Sequence, residues 1–222
     1  MKEIIGFVTI GQSPRQDIIS EISDILGPEI VIIERGALDG LREEEIKKLK
    51  PGPGDFSLIT RLRDGSSVAV GKKKIFPLLK RQVKNLEEES VRLIALLCTD
   101  EFPALESHRL LLHPSRLLFA SVVSVIKKGK VGIFVPLEEQ KGETIKKWKK
   151  TGLSVVVEAL NPYQESPEGR RVIERMGEEN VDLIVLDCLG YSLRWKTALK
   201  KEIGKPVLLA RTVLARTIRE MV

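Results

Sequence analysis

The chain opens on Ile4-Ile5-Gly6-Phe7-Val8-Thr9-Ile10 and turns at Gly11-Gln12-Ser13-Pro14-Arg15. A near-continuous apolar run of this length suits a strand covered on both faces. Such strands belong to parallel sheets flanked by helices, whereas a strand with one wet face alternates. A helix is expected to follow from Ser13 to Leu26, with Pro14 at its first helical position and Gly27-Pro28 as its stop. Strand, tight turn and helix at the very start set the expectation of an α/β protein.

The same alternation continues along the chain. Glu29–Glu34 reads as a second strand, and Arg35–Asp55 as a less regular insertion with a short charged helix at Arg42–Lys50. Leu58–Leu62 and Ser67–Val70 flank Asp64-Gly65, a hairpin turn dipeptide. Lys73–Glu89 carries apolar residues at helical spacing, and Arg92–Leu97 is a buried strand that ends at Cys98. Beyond His113-Pro114 the plan repeats. Helices are expected at Ser115–Lys128, Leu137–Lys150, Glu165–Met176, Tyr191–Lys201 and Ala210–Val222. Strands are expected at Val131–Val135, Ser154–Ala159, Asp182–Leu186 and Val207–Leu209. Strands alternating with helices imply parallel sheets with right-handed crossovers. The expected division is residues 1–113 plus 207–222 as one α/β subdomain and 114–206 as a second, pseudo-symmetric one, with a cleft between them.

Composition narrows the class. The 222 residues are 42% hydrophobic and 31% charged, an ordinary globular balance. The net charge of +6 suits an anionic small molecule. It argues little for nucleic acid, because Lys72-Lys73-Lys74, Lys127-Lys128, Lys146-Lys147 and Lys149-Lys150 are scattered among glutamates and not interleaved with aromatics. No apolar stretch approaches the roughly 20 residues of a membrane span, and the N-terminal apolar run is too short for a signal peptide. Two cysteines make no disulfide framework, and no Cys/His cluster has zinc spacing. The expected setting is the reducing cytoplasm, with no metal and no cofactor.

In open parallel sheets, ligands bind beyond the carboxyl ends of the strands, where helices begin and free N–H groups favour anions. Both cysteines fall at such places, in Leu96-Leu97-Cys98-Thr99-Asp100 and Leu186-Asp187-Cys188-Leu189-Gly190. A thiol there gains nucleophilicity or basicity, and two opposed thiols can act as acid and base on one carbon. The bland reading is two small core hydrophobes. Thr99 and Asp100 suit either substrate contact or helix capping. Asp187 suits either polarisation of the site or capping, although it should point to the face opposite Cys188. Gly11, Gln12, Ser13 and Arg15 can form an anion nest with a guanidinium to hold a carboxylate. The pattern is neither GxGxxG nor a P-loop, so nucleotide binding is not supported. His113 reads as a turn residue, Arg116 as a cleft or subunit contact, and Trp148 and Trp195 as packing.

At these residues the chain resembles the AroM family. The resemblance rests on Val8-Thr9-Ile10-Gly11-Gln12-Ser13-Pro14-Arg15, Pro114-Ser115-Arg116, Val135-Pro136-Leu137-Glu138-Glu139, Asn161-Pro162 and Leu186-Asp187-Cys188-Leu189-Gly190. More distantly the plan is similar to the aspartate/glutamate racemase superfamily, with maleate isomerase, hydantoin racemase and arylmalonate decarboxylase. Those proteins place one cysteine after a strand in each half, typically as Cys-Asn-Thr and Gly-Cys-Thr. This chain departs from both motifs, with Thr99-Asp100 after the first cysteine, and Asp187, Leu189 and Tyr191 around the second.

The resemblance implies an Asp/Glu racemase-like fold and a cofactor-independent isomerase, racemase or C–C lyase acting on a small carboxylate. Cys188 and Cys98 would be its catalytic pair. Gly11, Gln12, Ser13, Arg15, Thr99, Asp100, Pro136, Asn161, Leu189 and Gly190 would line its substrate site. The competing reading is a non-catalytic protein that binds a small anion and signals by closing its halves. A homodimer is compatible with either.

Overall fold

The computed structural model describes residues 2–164 and 166–222. It divides into two compact units, Met1–Pro114 with Leu214–Val222, and Ser115–Val213. The first contains β1 (Glu3–Thr9), α1 (Gln16–Leu26), β2 (Ile30–Gly36), α2 (Glu43–Lys48), β3 (Ser57–Arg61), β4 (Ser67–Gly71), α3 (Lys72–Glu88), β5 (Leu93–Leu96) and β6 (Leu110–Leu112). Then follow α4 (Pro114–Val125), β7 (Lys130–Val135), a 3-10 turn at Glu138–Gln140, α5 (Lys141–Lys149), β8 (Ser154–Ala159), α6 (Pro167–Glu178), β9 (Leu183–Leu186), α7 (Leu193–Ile203), β10 (Val207–Leu209) and α8 (Ala210–Met221).

Each unit is built on a four-stranded parallel sheet, ordered β2-β1-β5-β6 in the first and β10-β9-β7-β8 in the second. In both, the chain steps from the first strand to one side and then returns to the other. The physical reason is visible in the burial. Ile5, Phe7, Val8, Leu93, Ile94 and Leu96 are buried, as are Val131, Ile133, Phe134, Ile184, Val185 and Leu186. Strands with no polar face need cover on both sides, which only crossover helices supply. In the first unit the core includes Leu79, Val83 and Leu86 of α3; in the second it includes Ile173 and Met176 of α6 and Leu199 of α7.

The repeat is exact in register although not in sequence. Arg92 donates its amide to Ile4 and Leu97 to Val8; ninety residues on, Asp182 donates to Lys130 and Asp187 to Phe134. Gly6 and Gly132 match in this scheme, and both face a crossover helix. A Cβ on Gly6 would lie 3.2 Å from Leu86, and one on Gly132 would lie 2.5 Å from the Met176 sulfur.

Three expectations are corrected. The helix after β1 starts at Gln16, not Ser13, and Pro14 is in the preceding loop. The cause is that Ser13 gives its amide and hydroxyl to Asp39. The single helix expected at Leu137–Lys150 is a 3-10 turn followed by α5, with Gln140 accepting the Leu137 amide on its side chain. Val207–Leu209 was assigned to the first half, but it pairs with β9 and completes the second sheet. The start of the expected Glu165–Met176 helix lies outside the described residues; the observed α6 begins at Pro167, capped by Ser166. The β3–β4 hairpin forms as read, antiparallel and closed around Asp64-Gly65.

Filling the gap between β7 and α6 should be costly. Gly132→Ala is expected to lower stability by about 1–3 kcal/mol, because fully buried Met176 must repack. Urea unfolding followed by circular dichroism measures it, and an unchanged midpoint would contradict this packing.

Candidate functional site

In each sheet the topological switch point lies between the two central strands, β1 and β5 or β7 and β9, and ligands of open parallel sheets bind beyond the carboxyl ends of such strands. In register, Val8 pairs with Leu96 and Phe134 with Leu186. Cys98 and Cys188 each stand two residues past that last matched strand position. Their environments match too. Both are partly buried and flanked by buried neighbours, and each sulfur accepts an amide from two residues on. Asp100 N–H donates to Cys98 Sγ at 3.5 Å, and Gly190 N–H donates to Cys188 Sγ at 3.3 Å. A donor aimed at sulfur favours the thiolate over the thiol.

The Cys188 turn is held on several sides. Arg211, in the first turn of α8 and 1% exposed, donates Nε and Nη2 to the Leu189 carbonyl at 3.0 and 2.7 Å. Asn161-Pro162-Tyr163, after β8, packs against Gly190, where a Cβ would stand 2.6 Å from the Tyr163 hydroxyl. Asn161 accepts the Tyr163 amide on its side chain at 2.9 Å, which fixes this loop. Tyr191 is fully buried and donates its hydroxyl to the Leu160 carbonyl at 2.5 Å, and burial pushes its pKa well above the ordinary tyrosine value. Pro136, at the end of β7, and Leu189 are buried. Trp195 donates to the Pro162 carbonyl at 3.0 Å and meets Tyr191 edge to face.

Asp187 neither caps α7 nor faces the thiol. Its Oδ2 accepts from Lys147 Nζ at 2.5 Å and from the indole of Trp148 at 2.7 Å, both on α5. Ser192 caps α7 instead. The alternation of side chains along an extended strand sends Asp187 and Cys188 to opposite faces.

The Cys98 turn is held differently. Asp100 pairs with Lys72 at 2.6 Å, and the ammonium lies 5.7 and 5.2 Å from the rings of Phe56 and Phe102. Thr99 is buried. Lys72 belongs to the Lys72-Lys73-Lys74 run, yet it is the first residue of α3 and is directed at this loop. His113 is buried at the end of β6, whereas Arg116 is exposed on α4.

The loop at Gly11–Arg15 does hold a carboxylate, but it is the chain's own. Ser13 gives its amide to Asp39 Oδ1 at 2.8 Å and its hydroxyl to Oδ2 at 2.5 Å, and Gly36 gives its amide at 2.6 Å. Asp39 fits because Gly36 lacks a Cβ, which would stand 2.7 Å from Oδ1. Arg15, 3% exposed, makes a two-pronged pair with Asp17 at 2.8 Å and reaches Thr9 and Thr60 at 3.3 Å. Gln12 accepts the Arg63 amide at 2.9 Å. Gly11 packs on the hairpin, its Cβ position 2.4 Å from the Arg61 carbonyl. Glu34 accepts the Arg15 amide at 2.7 Å. Its pKa is raised, chiefly by burial, with Asp17 and Asp39 adding to the rise against the pull of Arg15.

Asp39, Lys72 and Arg211 were missed by sequence reading. Only Arg211 carried a local signal, a cation directly after the apolar Val207–Ala210. Among the described residues no group of three or more His, Cys, Asp or Glu is placed to hold a metal ion. Among them, too, no helix is long and apolar enough to cross a membrane.

Two doubly wound parallel units, each with a thiol at its switch point, define a protein of the Asp/Glu racemase-like fold class. The chain belongs to the AroM family: the AroM protein family matches residues 5–222. Among solved structures it is similar to the maleate isomerase Iso from Pseudomonas putida S16, with TM-score 0.64 and 12% identity, covering 99% of this chain and 93% of that one. It is also similar to unliganded arylmalonate decarboxylase, with TM-score 0.63 and 11% identity over 99% and 91% of the two chains. Glutamate racemase from Aquifex pyrophilus gives TM-score 0.62 and 18% identity over 99% and 84%. At these identities the likeness is one of fold. No curated protein matches the chain by sequence.

Removing the internal carboxylate is expected to leave three donors without their acceptor. Asp39→Ala should cost about 3 kcal/mol, and added formate should restore part of it. Thermal melts with and without formate measure both, and an insensitive variant would contradict the nest. Glu34 gives a pH signature. A carboxyl whose folded pKa is raised binds its proton more tightly in the folded state, so stability falls as pH rises from its unfolded value through the raised one. Glu34→Gln keeps an acceptor for the Arg15 amide, so it should be more stable than the native chain at neutral pH and converge with it at low pH.

Proposed function

We propose that this protein is a cofactor-independent enzyme acting at the α-carbon of a small carboxylate. One observation carries the reading. Two cysteines occupy matching places at the two switch points, each two residues past a matched strand position and each accepting an amide from two residues on. Inert core thiols need no such correspondence.

In this reading the Cys188 thiolate takes the α-proton, and the electron pair of the broken C–H bond passes into the adjoining carboxylate as an enediolate. The Cys98 thiol then delivers its own proton to the opposite face. The configuration inverts and the two sulfurs exchange protonation states. If the α-carbon carries a second carboxylate, loss of carbon dioxide leaves its electron pair on that carbon, and a single thiol supplies the proton. Maleate isomerase, glutamate racemase and arylmalonate decarboxylase are the activities named for the similar folds. Their range supports the reaction class and leaves the substrate open.

In the second unit the substrate carboxylate is assigned to the Asn161 amide and the turn at Leu189-Gly190, beside Pro136; Thr99-Asp100 is the corresponding turn of the first unit. Gly11, Gln12, Ser13 and Arg15 are assigned a structural role in the first unit, since Asp39 and Asp17 already take their strongest donors. We place the enzyme in the reducing cytoplasm, where both thiols stay available.

The test has two parts. Site-resolved iodoacetamide labelling against pH should show Cys188 reacting in the folded protein with an apparent pKa below the ~8.5 of an ordinary thiol, with protection by malonate. Incubation of small mono- and dicarboxylates in deuterium oxide should show α-deuterium incorporation. Cys188→Ser should lower that rate by about a hundredfold or more. Cys98→Ser should abolish inversion. Resistance of both thiols until unfolding would overturn the reading in favour of a non-catalytic anion-binding protein.

A further inference from the structure

The two thiols sit on matching backbone, but their surroundings are not equal, and one difference lies in a single peptide plane. The unit joining Leu189 to Gly190 presents its N–H to Cys188 Sγ at 3.3 Å and its carbonyl to the Arg211 guanidinium at 3.0 and 2.7 Å. A trans peptide is planar and conjugated, and its oxygen and hydrogen point to opposite sides. A cation bound to the oxygen draws electron density from nitrogen and strengthens the N–H as a donor, so the two hydrogen bonds reinforce each other. Arg211 is 1% exposed, so water does little to screen this effect.

We infer that Arg211 is a positioning residue that makes Cys188, rather than Cys98, the ionised thiol of the pair. This rests on the proposed function and adds the assignment of roles: Cys188 starts as base and Cys98 as acid. The matching position in the first repeat is Ser115, which carries no charge. There the residue that donates to Cys98 is Asp100, whose own carboxylate lies on the same turn and is balanced by Lys72.

Other ionisable groups lie near Cys188. Asp187 is turned to the opposite face and held by Lys147 and Trp148. Tyr191 stays neutral, its pKa raised by burial and by negative charge on Cys188 and Asp187. Tyr163 lies against Gly190 with its hydroxyl. The donor aimed at Cys188 is thus tied to Arg211 through the Leu189–Gly190 peptide.

The experiment is site-resolved iodoacetamide labelling of the native chain, Arg211→Met and Arg211→Lys across pH, with Cys98 as internal reference and circular dichroism to establish folding. Arg211→Met should raise the apparent pKa of Cys188 enough to slow its labelling about tenfold below that pKa, while Cys98 keeps its profile. Arg211→Lys should recover part of the loss. A folded Arg211→Met protein with an unaltered Cys188 profile overturns the inference and leaves the enzyme reading standing. A native Cys188 that resists labelling until unfolding defeats the enzyme reading itself.

If Arg211→Met does not fold, the native protein still decides. In a nitrogen-15 titration the Gly190 amide and the Arg211 Nε–H should shift with the same midpoint as Cys188 labelling. An Arg211 signal that stays fixed while Cys188 ionises overturns the inference.

Discussion

The register between the two central strands of each sheet is the constraint on which the rest depends. Val8 opposite Leu96 and Phe134 opposite Leu186 fix where the strands stop, and therefore where each thiol emerges. A slip of one residue would turn every side chain to the other face. It would exchange Cys188 with Asp187, burying the thiol against α5 and sending a carboxylate to the switch point. The register is held by ladder hydrogen bonds and by the apolar set on both faces, so the placement of each thiol inherits the stability of the core. Gly6 and Gly132 belong to the same constraint, since they let α3 and α6 approach the sheets closely.

Charge inside the molecule follows a second logic. The net charge of +6 invites the idea of a bare positive surface waiting for an anion. Much of the positive charge at strand ends is instead matched to carboxylates of the chain. Arg15 holds Asp17, Lys72 holds Asp100, and Lys147 holds Asp187. These pairs are buried or half-buried. Breaking one would leave an uncompensated charge in a poor solvent, whereas the intact pair adds little beyond neutrality. Their value is geometric: each fixes the far end of a loop or strand whose near end lies at a switch point.

What the sequence disclosed, and what it hid, divides along chain distance. Burial patterns within a strand are local, so the parallel sheets, the hairpin at Asp64-Gly65 and the emergence of both cysteines at strand ends were all legible from periodicity and turn residues. The anion-binding character of Gly11–Arg15 was legible too, because glycine, serine and arginine in a tight turn announce it. The occupant was not, since Asp39 lies twenty-six residues on, within an irregular insertion. Lys72 looked like part of a solvated run because nothing local marks a lysine that will meet an aspartate from the next strand. Val207–Leu209 was placed on the wrong sheet for a related reason: three apolar residues state that a strand exists and say nothing about its partner.

Acid–base chemistry on one carbon needs two groups that are alike in reach and unlike in protonation. A pseudo-symmetric fold supplies the likeness at no added cost, because the same backbone turn is made twice. It cannot supply the difference, which has to come from side chains outside the repeat. Arg211 fits that requirement. It stands where the first repeat has Ser115, it is buried, and it touches the turn at the one carbonyl whose peptide also donates to sulfur. Two thiols of equal acidity would be mixed in about half of the molecules at their common pKa, divided equally between the two directions of transfer. Separating them by a unit or more makes the mixed state dominant in the interval between the two values. In the proposed reaction, the residues that break the symmetry are therefore where the direction of proton transfer would be set.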